Sequence, residues 1–419
     1  MGNSTPVAGF LHPLTWRGCR CYALAATGML RTNPTLRCIV VLVALLAGCL
    51  LGAAILRANL SRPVVTGGRM PTVRTEWSIP ASGARWAAFA GSGDYVCTVS
   101  KDGQLACYDS TGARRFSTTV VGANAASVAP NGSFTLAYAR RNPGNTSLIF
   151  LDSTGRVAWR MNVSGAVWSA DAGLSDSGAC FAVGTGERYV YMITVGPGAK
   201  RYRRWRAPGV VTSVALDSNH GRVLSGTWQA SSVCGADLTG REDLAVEADP
   251  STLQYVQALA DSDRVFVRSI ANRAGGDGRA ALLESDGLDL SHYTLDGSQS
   301  MRAVASPDGL FVCLGYSKAI EHSGKSMAER HAALYDYAGR RLWDKGSMLL
   351  QVTPIVVTRG GFVLAGGGKN ALYMVNPAGQ IKQACKLPAP LVEAIVSRDS
   401  SLVLARCANG RFYRLRIAR

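Results

Sequence analysis

One short unit recurs along this chain: a hydrophobic run ends in an acidic or amide residue, two variable positions follow, and a glycine closes the turn. It reads Tyr108-Asp109-Ser110-Thr111-Gly112, Leu151-Asp152-Ser153-Thr154-Gly155, Ala236-Asp237-Leu238-Thr239-Gly240, Tyr335-Asp336-Tyr337-Ala338-Gly339 and Val375-Asn376-Pro377-Ala378-Gly379, with weaker copies at Gly198 and Gly287. Successive glycines lie 43, 43, 42, 47, 52 and 40 residues apart. A period of about 40–45 residues is that of a four-stranded propeller blade. The turn has a local logic: Asp or Asn bonds the backbone two residues on, and glycine takes the left-handed conformation that closes the hairpin. A second turn precedes each copy, as in Ala129-Pro130-Asn131-Gly132, Ser175-Asp176-Ser177-Gly178 and Ser306-Pro307-Asp308-Gly309. Two hairpins per period make four strands.

The spacing predicts blades over 85–121, 124–163, 166–207, 210–247, 253–296, 301–345 and 350–388, with a remainder from 391 to 419 that supplies three strands. The missing fourth strand is available at Val73-Arg74-Thr75-Glu76-Trp77. Joining it to the C-terminal strands closes the ring and removes the open blade interface. The fold expected is therefore an all-β propeller of eight blades over residues 73–419, with seven as the alternative count. Four residues past the turn glycine an apolar side chain often returns, as Phe116, Trp159, Leu244 and Trp343, and is read as packing between neighbouring blades.

Ahead of the repeat, residues 38–56 run from Cys38 to Ile55-Leu56 without a charge between Arg37 and Arg57. That is long enough for a helix to cross a hydrocarbon core of about 30 Å. The organisation predicted is a cytoplasmic, disordered tail over 1–37, a transmembrane or signal-anchor helix over 38–57, a linker over 58–72 and an exported propeller, periplasmic or extracellular. Arginines flank the apolar run on both sides, so the positive-inside rule hardly discriminates orientation. A rival reading uses Leu46-Ala47-Gly48-Cys49, which resembles the lipobox of bacterial lipoproteins and would make Cys49 a lipidation site. Either reading tethers the same domain to a membrane.

The formal net charge is +17, but residues 1–74 hold eight arginines and no acid, so about half of that charge precedes the propeller. A basic surface attracts acidic ligands and anionic lipid without setting specificity. No sequence motif for nucleic-acid reading is present, and no specific nucleic-acid partner is expected. Most of the eleven cysteines lie in apolar runs, as Cys180 and Cys313 do, where thiols act as small hydrophobes. Cys97 and Cys107 flank the turn Lys101-Asp102-Gly103; a loop closing Ser100 against Gln104 sets them opposite each other, which permits a cross-strand disulfide without requiring one.

Asp152 to Trp159 and Asp336 to Trp343 resemble the bacterial propellers built from pyrroloquinoline-quinone-type repeats, and Ser306-Pro307-Asp308-Gly309 equally resembles the turn of WD-repeat-type propellers. The likeness covers the repeat region. The family's repeat reads Asp-x-x-Thr-Gly, and the turn here is one residue shorter. The adjacent cysteine pair of quinone-dependent dehydrogenases is absent, and no cofactor is expected. Among tethered eight-bladed propellers, the resemblance to the lipoprotein that helps to assemble outer-membrane proteins implies an envelope-assembly role and an envelope protein as partner.

No catalytic constellation emerges. The propeller holds four histidines, His220, His292, His322 and His331, none in a nucleophile motif. Asp261-x-Asp263 lacks the rest of a calcium loop, no metal site is expected, and Gly366-Gly367-Gly368-Lys369 reads as a hairpin connection rather than a phosphate loop. Arg201-Tyr202-Arg203-Arg204-Trp205-Arg206 reads as an outer strand with Tyr202 inward. The two longest interruptions of the repeat, Arg268–Ala281 and Ser317–Ala332, both fall between the second and third strands of consecutive blades and so lie on one face. As loops they would bring Arg268, Arg273, Arg279, Lys318, His322, Lys325, Arg330 and His331 together with Asp277, Glu321 and Glu329. The reading is a non-catalytic, membrane-anchored scaffold or sensor whose basic rim docks a partner. The other class is an exported enzyme, quinoprotein-like or otherwise, with its site in the central funnel.

Overall fold

The glycine turn behaves as its chemistry dictates. At Asp152 the carboxylate accepts the Thr154 N–H at 2.8 Å, the Thr154 hydroxyl at 2.7 Å and the Arg156 N–H at 3.1 Å. Gly155 sits at φ +84°, a conformation that costs an L side chain strain. This turn joins Thr146–Asp152 to Val157–Val163, the third and fourth strands of one sheet. The second turn, at Asn131-Gly132, joins Ala125–Val128 to Phe134–Tyr138, the first and second.

The computed structural model describes residues 70–418 apart from 81–83, 91–92, 143, 176, 197–198, 218–219, 229, 231, 238–239, 248–251, 260–261, 272–278, 285, 288, 295–300, 323–324 and 347–349. The tail, the apolar run 38–57, Cys49 and the linker up to residue 69 lie outside the described residues, as do Arg273 and Asp277. Among the described residues no helix is long and apolar enough to cross a membrane.

Repetition of the two hairpins gives eight sheets of four antiparallel strands. Seven are continuous in sequence, over residues 84–119, 125–163, 167–206, 210–247, 252–294, 301–346 and 350–386, and are numbered blades 1 to 7. Blade 8 takes Leu391–Val396, Leu402–Cys407 and Arg411–Ala418 from the C-terminus and its outermost strand, Thr72–Pro80, from the start of the propeller. The register runs from Thr72 opposite Ala418 to Pro80 opposite Arg411, with a bulge between Thr75 and Trp77. The bulged residue is Glu76, whose carboxylate pairs with Arg416 and, at 3.3 Å, with Arg414. One acid on the N-terminal strand thus faces two guanidinium groups on its C-terminal partner.

Neighbouring blades meet through a repeated contact. The ring of an outer strand lies on the turn glycine of the next blade, so close that a Cβ built on Gly155 would stand 2.6 Å from Phe116. Trp205 lies on Gly240, Leu244 on Gly287 and Trp343 on Gly379 in the same way. The closing strand reproduces this contact, with Trp77 on Gly112 of blade 1. Its indole N–H donates to Ser110 O at 3.1 Å, as that of Trp343 donates to Asn376 O at 3.0 Å. Behind these contacts the apolar clusters bridge blades: Leu136 and Phe150 of blade 2 pack with Phe181 and Ile193 of blade 3. Phe150 meets Phe181 edge-on, with ring centroids 5.4 Å apart.

Ala199–Arg206 is the outer strand of blade 3, but Tyr202 is 54% exposed. Trp205 sets the phase by packing on blade 4, and three residues along a strand is an odd number, which turns Tyr202 to the opposite face. Cys97 lies directly opposite Cys107, both as free thiols, and burial holds the Cys97 thiol well above its ordinary range.

Two expectations follow. Trp77→Ala should lower stability by about 3 kcal/mol, whereas Trp77→Phe, which keeps a ring on Gly112 and loses the indole hydrogen bond and part of the ring's volume, should cost about 1–2 kcal/mol, both read from denaturant midpoints. Hydrogen bonds hold the Asp152 carboxyl below the usual range. Its contribution is therefore present above the unfolded-state value of about 3.9 and is lost as pH falls through the folded one. Asp152→Ala should cost about 1 kcal/mol at neutral pH and progressively less in acid.

Candidate binding face

The first strand of each blade is innermost and lines a central channel. One cavity along it, of about 370 Å³, is walled by inner-strand residues that include Ser127, Asp171, Leu216 and Gln257 and by Pro307 and Arg398 from the turns that follow two of these strands. Asp171 belongs to Val167–Ser175, and its carboxylate accepts the Leu216 N–H of blade 4 at 2.8 Å and the Ala172 N–H at 2.9 Å. Burial raises this carboxyl above its ordinary value, against the pull of those two N–H groups and of the Arg398 charge. The cavity thus offers one carboxyl and one guanidinium. Among the described residues no cluster of His, Cys, Asp or Glu is arranged to hold a metal ion.

In a four-stranded antiparallel blade, connections between second and third strands emerge on the same face as connections between blades. The Ser317–Ala332 segment departs there from its expected form. It is not a loop: Phe311–His322 and Lys325–Asp336 are 12 residues each and stay paired from Phe311 opposite Asp336 out to His322 opposite Lys325. The neighbouring strands stop short, with Met301 opposite Tyr316 on one side and Gly346 opposite His331 on the other. Among the described residues, 317–322 and 325–330 therefore pair only with each other, as a two-stranded arm beyond the four-stranded sheet. Lys318, His322 and Lys325 lie along its backbone, and Arg330 is exposed near its root.

His331 does not face an open rim; its side chain is 13% exposed. One ring nitrogen lies 2.9 Å from Glu329 Oε2 and the other 3.1 Å from Asp344 Oδ1. The imidazole stacks on Tyr316 with centroids 5.1 Å apart, and the Tyr316 hydroxyl donates to Asp344 Oδ2 at 2.6 Å. This network sits where the arm leaves the blade. Burial and the Asp344 carboxylate both raise the Tyr316 hydroxyl above its ordinary value, so it stays a donor.

In blade 5, Arg264–Ala271 and Arg279–Glu284 flank residues that lie outside the described set, and Arg279 is exposed at the start of the second of these strands. Arg268 turns inward instead. Its guanidinium lies 4.7 Å from the centroid of Tyr255, on the first strand of the same blade. Beside it is Arg302, on the first strand of blade 6, and the two line a cleft of about 620 Å³ with Ser213, Gln257 and Phe266. Burial lowers both guanidinium pKa values, and the Arg302 charge adds to the depression at Arg268. The expected basic rim therefore divides into an arm, an internal histidine network and an arginine cleft. Sequence reading missed Arg302 and Asp171. The signal available was a charge inside a strand that lines the channel, in Met301–Ala305 and in Val167–Ser175.

With the geometry in hand, the chain can be set beside known proteins. The family described as PQQ_2, outer membrane protein assembly factor BamB, matches residues 66–202. No curated protein sequence matches the chain. Among solved structures, BamB from Moraxella catarrhalis is 16% identical, covers 82% of this chain and 98% of its own, and superposes with a TM-score of 0.56. The Dos1 propeller is 12% identical over 82% of this chain and 95% of its own, with a TM-score of 0.60. Sqt1 of Saccharomyces cerevisiae is 13% identical over 84% of this chain and all of its own (100%), with a TM-score of 0.59. At these identities the solved structures establish the fold alone. Together with the family match they support a pyrroloquinoline-quinone-like propeller.

Proposed function

We propose that this chain is a non-catalytic interaction scaffold of the cell envelope, tethered to a membrane through residues 38–56, and that its propeller docks a partner protein on the face bearing the blade 6 arm. The arm is the observation that carries the reading. A two-stranded ribbon that continues six residue pairs beyond its sheet, to His322 opposite Lys325, contributes nothing to closing the propeller. Among the described residues no strand pairs with either of its edges, and an open strand edge in folded proteins is either guarded or used for pairing with another chain. The tether rests on the uncharged run between Arg37 and Arg57. The match of residues 66–202 to a family described as an outer membrane protein assembly factor favours an envelope-assembly version of the role, with an envelope protein as partner.

Rigid rooting of the arm fits the same role, since a docking element loses less entropy on binding when it is already ordered. Tyr316, His331 and Asp344 supply that rooting. Tyr316→Phe removes a hydrogen bond to a charged acceptor in a buried setting and should cost about 1.5–2 kcal/mol. Amide exchange should then accelerate in residues 317–330 before it does in blades 1 to 4; uniform acceleration would mean that the network supports the whole ring rather than the arm.

The function is tested by replacing residues 319–328 with Asn-Gly, a two-residue turn that joins Lys318 to its partner Glu329 and keeps the His331 network intact. Proximity labelling and capture from membranes should recover one protein set with the intact chain and lose it with the shortened one, at unchanged melting temperature. Equal recovery from both would remove the arm from the reading, and recovery of no protein from either would remove the scaffold.

A further inference from the structure

Elsewhere in this fold a buried arginine has an acid to meet. Arg222 bonds Asp217 at 3.0 Å, and Arg414 lies 3.3 Å from Glu76. The cleft between blades 5 and 6 is different. Arg268 has the face of Tyr255 beneath it, and the carboxylate whose charge acts on Arg302 is Glu393, which is already held by Arg406 at 3.2 Å. Among the described residues neither Arg268 nor Arg302 has a carboxylate within hydrogen-bonding distance, although the two are half-buried and repel each other. Two like charges held together in a partly desolvated place destabilise a fold unless something anionic joins them.

The walls say what kind of anion fits. Tyr255, Phe266, Ala303 and Val304 present aromatic and aliphatic surface, while Ser213 and Gln257 add polar groups. A volume of about 620 Å³ falls within the range of sites that enclose a small organic molecule. A multiply charged inorganic ion would surrender strong hydration to enter between apolar walls, whereas a carboxylate on an apolar body gives up less and gains burial of that body. The planar guanidinium fork matches a carboxylate in two-point geometry. We propose that the cleft between blades 5 and 6 is a binding site for an organic carboxylate attached to an apolar or aromatic body, with Arg268 and Arg302 gripping the carboxylate and Tyr255 and Phe266 covering the body. The source is either a free acid or the C-terminus of a peptide, which present the same chemistry.

Calorimetric titration of the full chain in detergent tests this. The probes are N-acetylphenylalanine, its amide, inorganic phosphate, and a heptapeptide ending in phenylalanine with a free or amidated terminus. The free carboxylates should bind at least ten-fold more tightly than the amides and than phosphate. Tighter binding by the acid peptide than by N-acetylphenylalanine identifies a protein C-terminus as the source, and equal binding identifies a small acid. Arg302→Gln and Arg268→Gln should each weaken the carboxylate at least ten-fold while holding or raising the melting temperature, because each removes a repulsive charge. Binding should persist in the chain shortened at 319–328, which separates this site from the arm. Equal affinity for acid and amide, preference for phosphate, no binding by any probe, or full affinity in both glutamine variants overturns the proposal.

Discussion

The seating of an outer-strand side chain on the next blade's turn glycine is the contact on which this propeller depends. It makes one residue serve two purposes: glycine supplies the left-handed backbone that closes the hairpin and, lacking a Cβ, leaves room for a ring. Phe116 on Gly155 and Trp343 on Gly379 are instances within the repeat, and Trp77 on Gly112 is the instance that closes the circle. Each blade is then defined by contacts with its two neighbours, so an open interface would expose an apolar face at both ends of the array. Thr72–Pro80 prevents that by completing blade 8 from the far end of the chain. The bulge at Glu76 serves the closure as well, presenting one carboxylate to Arg414 and Arg416 on the partner strand.

Because the ring is held from its outer strands and the turns beneath them, other parts are freer to differ. Among the described residues second-to-third-strand connections carry no contact of this type, and there blade 6 grows an arm while blade 7 makes do with Gly368–Asn370. Inner strands are also released from the locking role, and they carry the charges that a core would not tolerate. Asp171 in blade 3, Arg302 in blade 6 and Arg398 beside blade 8 all lie at the channel or its clefts. The molecule thus separates the residues that hold it together from those available for binding.

How much of this is legible in the sequence follows the same division. The turns are local chemistry, readable from Asp-x-x-Gly spacing, and with them come the blade count and the need for a closing strand near Trp77. Phase along a strand is less local: Tyr202 and Trp205 sit three apart in a strand that is basic almost throughout, and only packing of Trp205 on Gly240 decides which of them turns outward. The arm was legible as an interruption but not as a ribbon, because a mixed polar run without strict alternation reads as a loop. His331 looked like a rim residue since its partners, Asp344 and Tyr316, are brought to it by strand pairing across 13 and 15 positions of sequence. Arg302 carries no motif; its meaning comes from Arg268 and Tyr255 in another blade.

The two binding features differ in what they ask of a ligand. The arm offers backbone groups on an extended edge, a surface that recognises strand geometry and tolerates many sequences. The cleft offers two guanidinium groups among apolar walls, a surface that discriminates by charge and shape. Both belong to the region of blade 6, since Arg302 is paired with Gly315 one residue before the Tyr316 that anchors the arm. That adjacency sets the two features side by side on paired strands of one blade, so the same pairing of first and second strands positions both Arg302 and the Tyr316 at the root of the arm.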